Sequence, residues 1–314
     1  MLYRRLGGSG LKISELALGS WLTYGNGVED NTAEKIIDTA YESGINFFDS
    51  ANVYAFGEAE RVVGKALKKY RRDTYVISTK VFFPMSDGVN DRGLSRKHIT
   101  EQVNQSLKRL NLDYIDILFC HRYDPQTPIE ETLRTIDDFV RQGKILYVGV
   151  SMWTAEQIRN AVGVADKLLL DHIVVNQPSY NMLNRDIEAE IIPVCKTLGI
   201  GQVVYCPLAQ GFLTGKYLGQ KQIPKDSRAA NDKMNGFISE YMNGPSLEKT
   251  EKIKEIADQL GIPMAQLALA WILREDNISS AIIGASKPSQ IEMNVKASGY
   301  KIPDDILCEL EKIL

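Results

Sequence analysis

Residues 115–151 read IDILFCHRYDPQTPIEETLRTIDDFVRQGKILYVGVS. Ile115–His121 and Ile145–Ser151 are short, largely apolar runs rich in β-branched and aromatic residues. Such runs suit strands buried on both faces of a parallel sheet. Between them, Ile129–Gln142 has helical spacing and stops at Gly143, a residue that readily takes the left-handed turn after a helix. The stretch predicts strand, helix and strand, one βαβ unit of roughly 30 residues.

The same pattern recurs on both sides. Glu15–Gly19, Asn46–Ser50, Tyr75–Lys80, Ile173–Pro178, Gln202–Pro207 and Ala281–Ala285 bring the strand-like runs to eight. Thr32–Ser43 before Gly44, Lys97–Leu110, and Asp186–Leu198 before Gly199 read as helices among them. Eight parallel strands meet the closure condition of a barrel, so the expected fold is a (β/α)8 TIM barrel of class α/β. No composition break or proline linker divides the chain, and residues 1–314 are expected to form one domain. Tyr3–Ile13 reads as a hairpin closing the barrel bottom. A polar loop after strand seven, Gly215–Pro245, precedes a helix at Ser246–Leu260, and a last helix spans Pro303–Leu314. Loops of that length usually have a functional role or no fixed structure.

Composition removes several function classes. With 37 Lys+Arg against 40 Asp+Glu the chain has no basic field for nucleic acid. Its 44% hydrophobic and 25% charged residues match globular usage, and no run approaches the roughly 20 apolar residues of a membrane span. Arg4, Arg5, Lys12 and Glu15 interrupt the N-terminus where a signal peptide would be apolar, so a cytoplasmic protein is expected. Four well-separated cysteines read as reduced thiols, and three scattered histidines give no expectation of a metal.

In a barrel of this kind chemistry sits at the C-terminal strand ends. The second run ends in Asp49, with Tyr54 in the following loop; the third ends in Lys80 and the fourth in His121. A tyrosine, with an ordinary pKa near 10, is a weak acid unless a cation stabilises its phenolate. Lys80 can supply that cation, Asp49 can balance Lys80, and a neutral His121 can hydrogen-bond a carbonyl. The set suits protonation of a carbonyl oxygen while a nucleophile reaches its carbon. That nucleophile is either a hydride from a nicotinamide or Lys80 itself, through a Schiff base. The chain has no G-x-G-x-x-G after a strand, and Gly211–Tyr217 departs from a P-loop. Phosphates would instead meet the loops after strands seven and eight, where Lys216 and Lys287 lie and where Ser286 can cap a helix.

These motifs, together with Gly19-Ser20-Trp21, Asn46–Tyr54, Ser78-Thr79-Lys80, Asp116–His121, Lys144–Ser151, Asn176-Gln177 and Gly284–Lys287, resemble the aldo-keto reductases nearly end to end. Within that family they resemble the branch that includes voltage-gated potassium channel β subunits and their microbial relatives. The resemblance implies Tyr54 as general acid, Lys80 and Asp49 as its tuning pair and His121 as the residue orienting the carbonyl. It implies an extended NADPH held by Ser20, Trp21, Asp49, Ser151, Asn176, Gln177, Tyr205, Pro207, Leu208, Gly211, Leu213, Lys216, Arg228, Gly284, Ser286, Lys287, Gln290 and Asn294. Met293 and Gln290 stand where many relatives carry Glu and Arg. Channel β subunits of animals have Asn where this chain has His121, which favours an active reductase over a cofactor-sensing module.

A small carbonyl substrate would meet Trp21, Tyr24, Phe56, Phe82, Phe83, Arg122 and Tyr123, whose aromatic walls suit a flat or apolar compound. Arg122 either attracts a carboxylate-bearing substrate or pairs with Asp124, the plainer reading. Trp153 and Trp271 read as helix packing. The resembling branch includes monomers and higher assemblies, so a homo-oligomer is compatible with the sequence.

Overall fold

The computed structural model describes residues 1–25, 27–219, 227–230 and 235–314, the side chains of Arg228 and Phe237 excepted. A two-stranded antiparallel hairpin, β1 (Tyr3–Arg5) and β2 (Lys12–Ser14), comes first. Eight parallel strands then close on themselves in chain order: β3 (Leu16–Gly19), β4 (Phe47–Asp49), β5 (Val76–Val81), β6 (Ile115–Cys120), β7 (Ile145–Ser151), β8 (Ile173–Gln177), β9 (Gly201–Val204) and β10 (Ile278–Ile283). β10 returns to pair with β3, which completes the (β/α)8 barrel that the eight runs predict.

Strands that read as continuous apolar text alternate between two apolar environments. Ala17, Phe47, Val76, Ile117, Phe119, Val175 and Val203 form one cluster inside the barrel, with Leu6 and Ile13 of the hairpin as its floor. Their neighbours Leu16, Leu18, Phe48, Ile77, Leu118 and Val204 face the helices in a second cluster. Both faces are dry, which is why no polar alternation marks the strands. Arg4 fastens the hairpin, with guanidinium hydrogen bonds to the carbonyls of Leu273 (2.6 Å) and Ile278 (2.9 Å) and an ion pair to Glu15 (2.8 Å).

Several boundaries differ from the sequence reading. The helix expected over Asp186–Leu198 is a 3-10 turn at Asp186–Glu188 followed by a helix at Ile191–Thr197. Pro193 lacks an N–H and fits only the first helical turn, so the helix starts just before it. β10 begins three residues earlier than Ala281 because Ser279 and Ser280 are buried; Ser279 donates to Arg5 O at 3.0 Å. Met264–Leu273, within the stretch between strands seven and eight, is a helix buried on every side, so no apolar stripe announces it. Among the described residues no single helix is long and apolar enough to cross a membrane. Of the predicted polar loop Gly215–Pro245, residues 220–226 and 231–234 lie outside the described part, and short 3-10 turns occupy Arg228–Ala230 and Asn235–Phe237.

Candidate active site

The period-two alternation that fills the barrel floor also selects what reaches its mouth. Asp49 follows Phe47 inward on β4, Lys80 follows Val76 and Ser78 on β5, His121 follows Ile117 and Phe119, and Gln177 follows Val175. Lys80 Nζ and Asp49 Oδ2 are 2.6 Å apart, with side chains 0% and 4% exposed. The ammonium also donates to Ser50 O at 2.7 Å, and Asp49 Oδ1 accepts from Ser78 Oγ at 2.6 Å and Gln177 Nε2 at 3.0 Å. The buried carboxylate thus gathers three donors from two strands, which offsets much of its desolvation. Burial lowers the pKa of Lys80 while Asp49 raises it, and burial prevails.

Tyr54 sits above this pair, its ring centroid 4.9 Å from Lys80 Nζ and 5.8 Å from the His121 ring. The turn that carries it is sharp, with Ala55, Phe56 and Gly57 in succession at φ of 48°, 51° and 93°. A side chain at Gly57 would strike Arg109 Cδ at 2.5 Å, so glycine there admits the arginine that pairs with buried Glu60. Burial, and then the Asp49 charge, hold the Tyr54 phenol well above 10, against an opposing pull from Arg122. The phenol is therefore kept protonated, above an ammonium that is paired with Asp49. His121 is held neutral: burial, Lys80 and Arg122 all push its pKa well below 6.5. Its Nδ1 is buried without a hydrogen-bond partner among the described residues.

Around the mouth, Trp21 lies 6.5 Å from the Tyr54 ring, and Phe83 is edge-on to both His121 (4.9 Å) and Phe82 (5.3 Å). Tyr123 packs edge-on against Trp153 at 5.0 Å. Phe56 stands out at the rim, 73% exposed. Tyr24 is a correction to the expected pocket: it is 2% exposed and lies in the strand–helix core, where a helical turn with Tyr24 N on Ser20 O carries its ring.

The residues expected along a dinucleotide divide. Ser20 Oγ donates to Asp49 O at 3.1 Å, and Ser151 Oγ donates to Gln177 O at 2.8 Å; Tyr205 packs on the interior cluster with its hydroxyl 3.2 Å from Met152 Sδ. Asn176 is one residue out of phase with Gln177, so it lies on the outer face of β8, donating to Gln202 Oε1 at 2.9 Å, away from the mouth. Beyond β9, Pro207 is buried and Leu208 half-buried, and Cys206, Ala209, Gln210 and Gly211 have positive φ. The amides of Gly211 and Leu213 both turn back onto Leu208 O, at 2.8 and 3.1 Å, rather than outward as expected for phosphate donors. Lys216 Nζ lies over Gly211, where a Cβ would approach it to 3.4 Å. After β10, Gly284, Ser286, Lys287 and Gln290 are exposed and Asn294 is buried. Ser286 does not cap the helix Pro288–Asn294; instead Gln290 Oε1 accepts from Ser286 N at 2.8 Å. The Arg228 side chain lies outside the described residues.

Ser78 received no role from the sequence, although its place two residues before Lys80 on one strand face put it beside Asp49. Comparison with known proteins gives the family. A model of the aldo/keto reductase family matches residues 15–314. The chain is 46% identical over 300 residues to a protein of Arabidopsis thaliana named probable voltage-gated potassium channel subunit beta, covering 95% of this chain and 91% of that protein. An Oryza sativa subsp. japonica protein of the same name is 43% identical over 300 residues, with the same coverage. With its closed barrel, its mouth of Asp49, Tyr54, Lys80 and His121 and a match over nearly its whole length, the chain belongs to the aldo/keto reductase family.

Proposed function

We propose that this protein is an NADPH-dependent reductase of aldehydes or ketones, with Tyr54 as the general acid. The observation that carries the reading is the buried Lys80–Asp49 pair beneath a protonated Tyr54, with a neutral His121 beside it. The residues present fit the dinucleotide: an ammonium lies over the bare backbone of Gly211, and Ser151, Gln177 and Tyr205 share the barrel's inner face. Ser20, Trp21, Ser151, Gln177 and Tyr205 would hold the nicotinamide end. The Lys216 ammonium would meet the pyrophosphate over Gly211, with Pro207, Leu208 and Leu213 lining the loop beside it, and Gly284, Ser286, Lys287, Gln290 and Asn294 would hold the adenosine end. When bound, NADPH supplies the hydride.

The chain's own residues then perform the proton chemistry. His121 donates a hydrogen bond that orients the carbonyl oxygen toward Tyr54. The phenol transfers its proton to that oxygen as charge develops there, and the adjacent ammonium of Lys80 stabilises the phenolate left behind. Asp49 fixes the ammonium, and the aromatic walls exclude water from it. The test is NADPH oxidation with a reactive aromatic aldehyde. Tyr54→Phe is expected to lower turnover by about 10²-fold or more with cofactor affinity unchanged; equal turnover refutes Tyr54 as the acid. Tighter binding of NADH than of NADPH refutes the cofactor preference.

A further inference from the structure

Arg122 stands next to His121 at the barrel mouth and, among the described residues, has no anionic partner of its own. Its Nη1 donates to the His121 carbonyl at 2.6 Å, and its guanidinium carbon lies 5.4 Å from the centroid of the Phe83 ring. Among the described residues no carboxylate comes within 4.0 Å of it. Asp124, the partner its sequence position offers, is saturated elsewhere: Oδ2 accepts from Leu94 N at 2.8 Å and Thr127 Oγ1 at 2.7 Å, and Oδ1 accepts from Gln126 N at 3.0 Å. That carboxylate pins the loop between β6 and the helix Ile129–Arg141. The ammonium of Lys80 is balanced by Asp49 and His121 is neutral, so the guanidinium leaves the mouth with an excess positive charge. Its charge is felt by Tyr54 and by Tyr205 on β9's side of the mouth.

We infer that Arg122 is the anchor for a carboxylate on the substrate, so that the preferred substrates are aldehydes carrying a carboxylate on a flat, apolar frame. This rests on the carbonyl-reductase reading above. One edge of the guanidinium is held by the His121 carbonyl and its face by Phe83, which fixes the fork and leaves its remaining N–H groups for two carboxylate oxygens. A single positive charge matches a monoanion. Phe83, edge-on to His121, sets an aromatic wall between the anchor and the reacting carbonyl. Hydride addition and proton transfer then proceed at the aldehyde carbon and oxygen as in the neutral case, and the carboxylate takes no part in the chemistry.

The experiment compares 4-formylbenzoate with its methyl ester, in wild type, Arg122→Met and Arg122→Lys. Wild type is expected to favour the acid by about tenfold or more in kcat/KM, the range of one charge-assisted pair, and added salt is expected to shrink that ratio. In Arg122→Met the ratio is expected to collapse, chiefly through KM for the acid, and Arg122→Lys is expected to restore part of it. Equal kcat/KM for acid and ester in wild type, or a preference that survives Arg122→Met, overturns the assignment. A second readout needs no turnover: 4-(hydroxymethyl)benzoate should raise the Tm of wild type and of the Lys variant, but not of the Met variant. If neither aldehyde oxidises NADPH, the reductase reading falls. The thermal shift then decides the anchor alone, and the same shift in wild type and Arg122→Met refutes it.

Discussion

Removing the charge of Asp49 should destabilise the protein more than removing the charge of Lys80. Both groups are buried and hydrogen-bonded, and breaking such a pair by losing one member costs roughly 3–5 kcal/mol. The structure separates the two halves. In Lys80→Met the Asp49 carboxylate keeps two donors, Ser78 Oγ at 2.6 Å and Gln177 Nε2 at 3.0 Å, and it can also take up a proton. In Asp49→Asn the ammonium keeps one acceptor, Ser50 O at 2.7 Å, and faces a carboxamide of no charge. Asp49→Asn is therefore expected near the upper end of that range and Lys80→Met near the lower. The double variant Asp49→Asn/Lys80→Met, with no buried charge left, should recover much of the loss. Urea midpoints at constant slope for the four proteins measure this directly. A loss below about 1 kcal/mol for Asp49→Asn, or a double variant as unstable as the sum of the singles, would refute the reasoning.

Three further outcomes follow from the same geometry. Lys80→Met should also lower turnover by about 10²-fold or more, because the phenolate of Tyr54 loses the cation beside it; unchanged turnover in a folded variant shows that the ammonium has no part in the chemistry. His121 is held below its ordinary pKa by burial, Lys80 and Arg122, so between that value and about 6.5 the unfolded chain binds a proton the folded chain does not. Stability should fall as pH drops through that window, by up to about 1.4 kcal/mol per pH unit, and His121→Gln should flatten the fall while leaving the share of buried His98; an unchanged slope refutes it. Gly149→Ala places a methyl 2.5 Å from Phe119 Cδ1 inside the barrel, an overpacking expected to cost about 1–3 kcal/mol in denaturation, and a neutral result would mean that the ring can move aside.

What the sequence shows depends on whether an element has one wet face. Eight strand runs were legible because apolar text five to seven residues long, repeating at βαβ spacing, has few other uses. The exterior helices at Asp30–Glu42 and Ile129–Arg141 were legible through helical spacing and the glycines that stop them, whereas those at Glu58–Leu67 and Ala155–Leu168 were not read. Met264–Leu273 was not, because a helix dry all round has no stripe to read. Asp49, Lys80 and His121 were found because they end strands, and strand ends mark the mouth. Asn176 also stands near a strand end, yet only the inward or outward phase of β8 decides its direction, and that phase follows from Val175 in the interior cluster. Tyr24 failed for a related reason: a helical turn after Ser20 redirects it, and no local residue pattern specifies that turn. In the loop after β9, where phosphate donors were expected, the amides of Gly211 and Leu213 are spent on Leu208 O, a bond between neighbours that composition does not encode.

The hairpin at the barrel floor has a bearing on chemistry at the opposite end. Leu6 and Ile13 belong to the same cluster as Phe47 and Val76, which stand directly below Asp49 and Lys80 on their strands. That floor closes the lower end of the barrel with packed apolar side chains and shields the ion pair from solvent on that side. The low dielectric around Lys80 is thus set in part by residues far from it in the chain, and Arg4, by tying the hairpin to the carbonyls of Leu273 and Ile278, acts as the stopper's fastening. Loosening the floor would let solvent reach the ammonium from beneath and relax its desolvation without altering any side chain at the mouth.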